Sequence, residues 1–377
     1  MTKNELRNKI IESLTIQGFY VNGHVSPNLF TKTHFRKLQG HSRKEQIALQ
    51  KDFLIKSSDV VSQHVIDGKD INPAKIELEL RMVEENSTES VLYRWWNLMW
   101  WSVPHQRAYG RQMRFLLWDK THNAPFGLIG LQSPILRMSV RDKYLNIPKD
   151  ELDYVINKSM QAQRLGALPP YNQLLGGKMT ALALTSNELR TQYYKKYKGV
   201  KTILEERVIE PHLLFLTTTS AFGKSSIYNR LTYKKELVGQ SLGYTKGSGT
   251  FHISEELYSE IQNFLRKRKI DVNTTFGFGP SRKVRLLDTA LSLLDLDEYH
   301  YHNIQREFFI FPVAKNLKNV IEKGVRPIYH QRKIEDLTDF WKERWALPRS
   351  ERNMEWKEFN GKNFLTSAKR NITRWSK

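Results

Sequence analysis

The chain is predicted to be an α+β protein, with a central mixed sheet between a small helical N-terminal unit and a basic, mainly helical C-terminal region. Three observations predict it. The 377 residues are 40% hydrophobic, 11% aromatic and 26% charged, which describes a folded chain long enough for two or three domains. Hydrophobic spacing switches along the chain between the helical period and the strict alternation of a strand. The cationic excess is uneven: 14 basic against 12 acidic residues in 1–100, 22 against 13 in 101–260, and 24 against 14 in 261–377. The expected divisions are 1–70, 74–253 and 254–377.

Leu6, Ile10, Ile11 and Leu14 recur at helical spacing and end at Gly18 and the Asn22-Gly23 pair. A second helical stretch covers 43–64, and the segment from Gly68 to Pro73 reads as an exit linker. Ile76, Leu78, Leu80 and Met82 then alternate with Lys75, Glu77, Glu79 and Arg81, the pattern of a half-buried strand. Ser87 caps a helical run over 88–101 whose tryptophans, Trp95, Trp96 and Trp100 among them, are expected to lie in the core. A hairpin follows, with strands at 112–119 and 126–131 around turn residues 119–123. The stretch 150–168 fits helix and strand equally. After Pro169-Pro170 a long helix is expected over 173–197, then a strand at 213–219, a short helix at 225–231 and a last strand within 237–250. Beyond 254 the chain reads as helical and basic, with the run Arg266-Lys267-Arg268-Lys269, a glycine loop at 276–285, and Trp341, Trp345, Trp356 and Trp375 among cations.

The net charge is +21 with 60 Lys+Arg against 39 Asp+Glu. Such an excess attracts polyanions, because bound phosphates release condensed counterions. Nucleic acid, DNA before RNA, is therefore the expected partner. Cysteine is absent, which excludes disulfides, thiolate metal sites, a cysteine nucleophile and an iron–sulfur cluster. No window is apolar enough to span a bilayer and the first residues lack a secretory apolar stretch, so a cytoplasmic protein without membrane partners is expected.

Most catalytic motifs fail on spacing. Gly223-Lys224-Ser225 resembles the end of a phosphate loop, but Thr218 stands where its first glycine belongs. Gly277 and Gly279 lack the third glycine of a dinucleotide loop, since position 282 is Arg. His300 and His302 are too weakly patterned for a metal site, and none is expected. Gln173-Leu-Leu-Gly176-Gly177-Lys178 is more informative. Glycines opening a helix suit close approach, and free N–H groups with a lysine suit a phosphate. Arg111, Arg114, Arg141, Lys178, Lys224, Arg230 and Lys246 are expected to line one edge of the sheet as phosphate-reading cations, with a structural ion pair to Asp142 as the alternative for Arg114 and Arg141.

Two resemblances join these readings. The order of elements resembles the N-acetyltransferase (GNAT) fold, making the expected sheet GNAT-like. Its coenzyme motif is matched by Gln173 and Gly176, while Lys178 stands where Gly or Ala belongs and is expected to exclude acetyl-CoA, so no cofactor is expected. That resemblance implies Tyr228 as a general acid, if the chain is an acyltransferase. The 107–252 region also resembles the DruA family of Druantia anti-phage defence systems, relatives of transposase-associated domains. The matching stretches are Gly110-Arg-Gln-Met-Arg114-Phe-Leu, Gly127-Leu-Ile-Gly130, Arg141-Asp142, Pro170-Tyr-Asn172, Thr217-Thr-Thr-Ser220, Tyr228 and Leu242-Gly-Tyr-Thr-Lys-Gly247. This resemblance implies an antiviral role beside other defence proteins, one of them helicase-like. The leading expectation is a nucleic-acid-binding defence component. The alternatives are an acyltransferase-like enzyme acting on nucleic acid or protein, and a basic adaptor that assembles its partners.

Overall fold

The computed structural model describes residues 1–100, 103, 104, 108, 110–202, 206–273 and 282–375. The glycine loop expected from 276 lies largely outside them. Alternating hydrophobics build one seven-stranded sheet: β1 (Leu78–Met82), β2 (Gln112–Asp119), β3 (Ala124–Gln132), β4 (Ser159–Ala167), β5 (Phe215–Thr219), β6 (Gln240–Tyr244) and β7 (Glu307–Pro312), in the spatial order β1-β2-β3-β4-β5-β7-β6. All neighbours are antiparallel except β4 and β5. That parallel pair requires a crossover, which the helices between residues 176 and 197 supply. Pairing between β4 and β5 runs from Ser159↔Phe215 to Ala162↔Thr218 and stops, so the second half of β4 has a register partner only in β3.

The longer helices are α1 (Lys3–Gln17), α2 (Lys32–Leu49), α3 (Thr88–Met99), α4 (Gly176–Ala183), α5 (Asn187–Tyr197), α6 (Glu255–Lys267), α7 (Arg282–Leu293), α8 (Ile334–Trp341) and α9 (Gly361–Trp375). On one face of the sheet, Met113, Phe115, Leu131, Leu165 and Phe309 pack with Met179 and Leu182 of α4 and with Leu337 and Trp341 of α8. On the other face, Leu116, Trp118 and Leu128 pack with Trp95 and Trp96 of α3 and with Ala368 and Ile372 of α9. A separate apolar cluster covers β5 and β7 from the helices Ser139–Leu145 and Leu317–Lys323. Leu6, Ile10 and Leu14 of α1 share their core with Ile261 of α6 and Leu287 of α7, so the two flanks pack on each other.

Four local expectations change. The helix expected over 173–197 is two helices, because Ser186 turns extended and caps α5 by accepting from Leu189 N. The helix expected at 225–231 is a series of turns. The sheet does not take its last strand from 237–250, since β7 lies in the segment after 254 that was expected to be mainly helical. A small hairpin, Phe19–Val21 with Val25–Pro27, forms around Asn22-Gly23, where only a helix stop was read. The ambiguous stretch resolves as a short helix, Leu152–Ile156, followed by β4.

Candidate nucleic-acid interface

The expected site residues separate into three groups. The first is spent on the protein itself. Arg111 Nη1 donates to Asn157 O and Tyr193 Oη, both at 2.6 Å, and Nη2 donates to Ser159 O at 2.9 Å, so its guanidinium caps the chain between a short helix and β4. Arg141 is 1% exposed, with Nε on Asp142 Oδ1, Nη1 on Ile135 O and Nη2 on Leu136 O, each at 2.7 Å. It ties the loop leaving β3 to the helix Ser139–Leu145, with the Asp142 pair read as the alternative from sequence.

The second group surrounds the start of α4. Gly176 is required by packing: a Cβ there would fall 2.7 Å from both Ala167 Cβ and Tyr171 O. A Cβ on Gly177 would meet Ile227 at 3.1 Å. Lys178 Nζ donates to Ile227 O at 3.2 Å and sits 5.2 Å from the Trp345 ring centre. Burial and then the nearby Arg344 charge push its pKa down. Trp341 Nε1 donates to Leu175 O at 3.2 Å, and Arg349 Nε donates to Gln173 O at 3.4 Å. The last quarter of the chain therefore lies over this helix start. Tyr228 fills the split between β4 and β5: it is 7% exposed, packs edge-on against Phe309 and Phe311, and donates from Oη to Leu165 O at 3.3 Å. Burial raises its pKa well above the ordinary phenol value.

The third group is cationic and open. Lys224 and Lys246 are exposed, and both adjoin the backbone of Arg306. Gly223 bridges to Arg306, Thr245 N donates to Arg306 O at 2.9 Å, and Arg306 N donates to Thr245 Oγ1 at 3.1 Å. The backbone of Gly223-Lys224-Ser225 is not free for a phosphate, because Glu307 Oε2 accepts from Ser225 N at 2.8 Å while Oε1 accepts from the Ser241 hydroxyl at 2.8 Å. Glu307 thereby points away from the face that carries Arg306. Arg230 is exposed in the turn that follows, at φ +55°.

Arg114 belongs to the same face of the sheet as Arg306. It is half-buried, and its side chain makes no hydrogen bond or ion pair among the described residues. Its register partner in β3 is Gly130, whose partner in β4 is Arg164. Arg164 is 5% exposed, with Nε on Asn97 Oδ1 at 2.5 Å and Nη1 on Gln163 O at 2.9 Å. Burial, with the Arg306 charge as a further cause, lowers the Arg164 pKa to about 10, and burial alone does the same to Arg306. Tyr93 of α3 lies between the two arginines: a Cβ on Gly130 would collide with its hydroxyl, and burial raises its pKa to about 12 while Arg164 and Arg114 oppose the rise. Neither Arg164 nor Arg306 was singled out from sequence. A signal existed in β2 and β4, where Gln112 and Arg114, and Gln161, Gln163 and Arg164, stand among apolar residues.

The fold and this site define an α+β protein with a mixed sheet whose central face is cationic. The family described as "Druantia protein DruA" matches residues 30–323. A curated protein of Escherichia coli (strain UMEA 4076-1), named Druantia protein DruA, is 32% identical over 360 residues, covering 94% of this chain and 89% of that protein. The chain belongs to the DruA family. No solved structure matches it. Among the described residues, no helix is long and apolar enough to cross a membrane.

Proposed function

We propose that the protein is the nucleic-acid-binding member of a Druantia anti-phage defence system, acting in the cytoplasm beside the other proteins of that system, a helicase-like one included. One observation carries the reading: Lys224, Arg306 and Lys246 gather at the start of β7, and none makes an ion pair among the described residues. Like charges held together with no ion pair among them favour a polyanion, the one adjacent carboxylate, Glu307, being bound to Ser225 N and the Ser241 hydroxyl. A meander followed by a crossover and one parallel pair supports reading the sheet as GNAT-like. Closure of the α4 start by Lys178, Trp341 and Arg349, and of the β4–β5 split by Tyr228, supports binding without acetyl-CoA. The test is duplex DNA binding by fluorescence anisotropy over a salt series. The logarithm of the binding constant is expected to fall linearly with the logarithm of salt, and Lys224→Gln with Lys246→Gln is expected to reduce the slope by about 2. Binding that is indifferent to salt refutes the reading.

A further inference from the structure

Helix α2 carries a glycine, Gly40, at its middle, where only proline is less favourable to a helix. A glycine inside a helix usually admits a neighbouring element. No such element is there: a Cβ on Gly40 would meet nothing within 4 Å among the described residues, and the position is part-exposed. The side chains that surround position 40 on the helix surface are those three and four residues away, Arg36, Lys37, Arg43 and Lys44, and all four are basic. Arg36, Lys37 and Lys44 are exposed, and none of the three makes an ion pair among the described residues. Arg43 is half-buried and donates from Nη2 to Met99 O. The one acidic residue of α2, Glu45, lies five positions on, about 140° round the axis from Gly40. The patch also adjoins the cations already described. The Arg36 guanidinium lies 5.4 Å from the Phe222 ring centre, and a Cβ on Gly223 would come 4.0 Å from the Phe35 ring, so the first half of α2 runs beside Gly223-Lys224. From Phe35 to Gly40 is about 7.5 Å along the helix axis, the rise of about two base pairs of a duplex.

We propose that the backbone of a double-stranded nucleic acid crosses α2 at Gly40, with one phosphate resting against the bare Cα between Arg36, Lys37 and Lys44. The proposal rests on the nucleic-acid reading above and adds a second contact to it. Without a Cβ the phosphate approaches the helix closely, and the exposed cations meet it from both sides. Gathered cations repel one another and a central glycine loosens the helix, so fold stability favours neither; a bound phosphate offsets the first and gives the second a use. Single strands are held in grooves, whereas a helix exposed along one side meets a duplex along its backbone or in its major groove. Contacts of this kind position the duplex and carry no sequence preference. Lys224 and Lys246 then hold the backbone further along the same surface.

The experiment uses the full chain and a labelled duplex, read by anisotropy over a salt series beside a thermal melt. Gly40→Ala and Gly40→Leu are expected to bind progressively more weakly, the leucine variant by about tenfold, the value of one charge-assisted contact. Both are expected to melt at or above the wild-type temperature, because both residues favour a helix. A glycine that serves only the fold would not lose binding while the melt holds or rises. Lys37→Gln with Lys44→Gln is expected to lower the slope of log binding against log salt by about 2. If Gly40→Leu melts below wild type, the lysine pair decides alone. Wild-type affinity in a folded Gly40→Leu, or a wild-type slope in the lysine pair, overturns the contact at α2. The broader reading then stands if Lys224→Gln with Lys246→Gln still lowers the slope. Inorganic phosphate that displaces the duplex at an equal concentration of phosphate groups overturns the proposal in favour of a small-anion site. A wild-type protein that binds no duplex overturns both readings.

Discussion

Replacing Arg141 with methionine removes a buried cation while roughly keeping its volume. The guanidinium donates to Asp142 Oδ1, Ile135 O and Leu136 O, all at 2.7 Å, from a side chain 1% exposed. Methionine leaves two carbonyls without this donor and the carboxylate without its cation. Each stranded acceptor costs about 1–3 kcal/mol, and breaking a buried pair about 3–5 kcal/mol in all. Asp142 softens the loss, because it is partly exposed and its Oδ2 still accepts from Met138 N at 2.8 Å. A net loss of about 3–4 kcal/mol is therefore expected. At about 2.1 cal/mol/K per residue, 377 residues unfolding together have an entropy of about 0.8 kcal/mol/K, so the melting temperature should fall by about 4–5 °C. Urea denaturation followed by tryptophan fluorescence measures the free energy directly. In a double-mutant cycle, Asp142→Asn should cost less once Arg141 is already methionine. A variant within about 0.5 kcal/mol of wild type, the range of ordinary surface changes, would refute the view that this arginine is structural. Loss of phage protection would then have to come from a site and not from a loosened loop.

Two further outcomes are expected. Tyr228→Phe removes only the hydrogen bond to Leu165 O, so it should cost about 0.5–1.5 kcal/mol and leave DNA binding unchanged; loss of protection with an unchanged melt would instead point to proton transfer. His252 is buried beside His302, donates from Nε2 to Tyr299 O, and has its pKa pushed down to about 4 by burial, with the nearby His300 and Lys283 acting in the same direction. The unfolded chain binds that proton first, so stability is full above about pH 6.5 and falls as pH drops toward 4, by about 2 kcal/mol between pH 7 and pH 5 from this group alone. Urea midpoints at the two pH values check this, and a profile that stays flat in wild type contradicts it.

Part of the sheet was legible, β1 and β2 from alternation and β5 from a short apolar run. Lys75–Met82, Gln112–Asp119 and Leu213–Thr219 each announced themselves, and Ser87 marked the start of α3. The break in the long helix was not legible: Thr185 and Ser186 are unremarkable in sequence, and the break is secured by Arg332, which donates to Thr185 Oγ1 at 3.0 Å from 147 residues away. The cationic row was half legible. Arg114 stood out among apolar neighbours, but its alignment with Arg164 depends on an irregularity in pairing between β3 and β4, where Gly130 meets Arg164 and Leu131 meets Ala162. Arg306 joins them only because β7 inserts between β5 and β6, an order that local patterns do not encode. Arg111 reads in sequence only as a phosphate-reading cation, whereas its guanidinium donates to backbone carbonyls and Tyr193; for Arg141 the ion pair with Asp142, the alternative reading, is present together with two carbonyl acceptors.

The insertion of β7 also has a consequence for how the chain is made. β5 emerges from the ribosome complete at Thr219, yet one of its two neighbours, β7, is not synthesised until Pro312. Over roughly ninety residues of translation, several seconds or more at bacterial rates, Phe215 and Leu216 belong to an edge that will later be interior. An apolar strand with a free edge invites pairing with another chain. The following strand, β6, cannot cover it, because β6 docks on β7 and not on β5. The vulnerable period therefore ends only when the late strand slots into the middle of the sheet, and yield in the cell should depend on temperature and chaperone supply more than the stability of the finished fold would suggest.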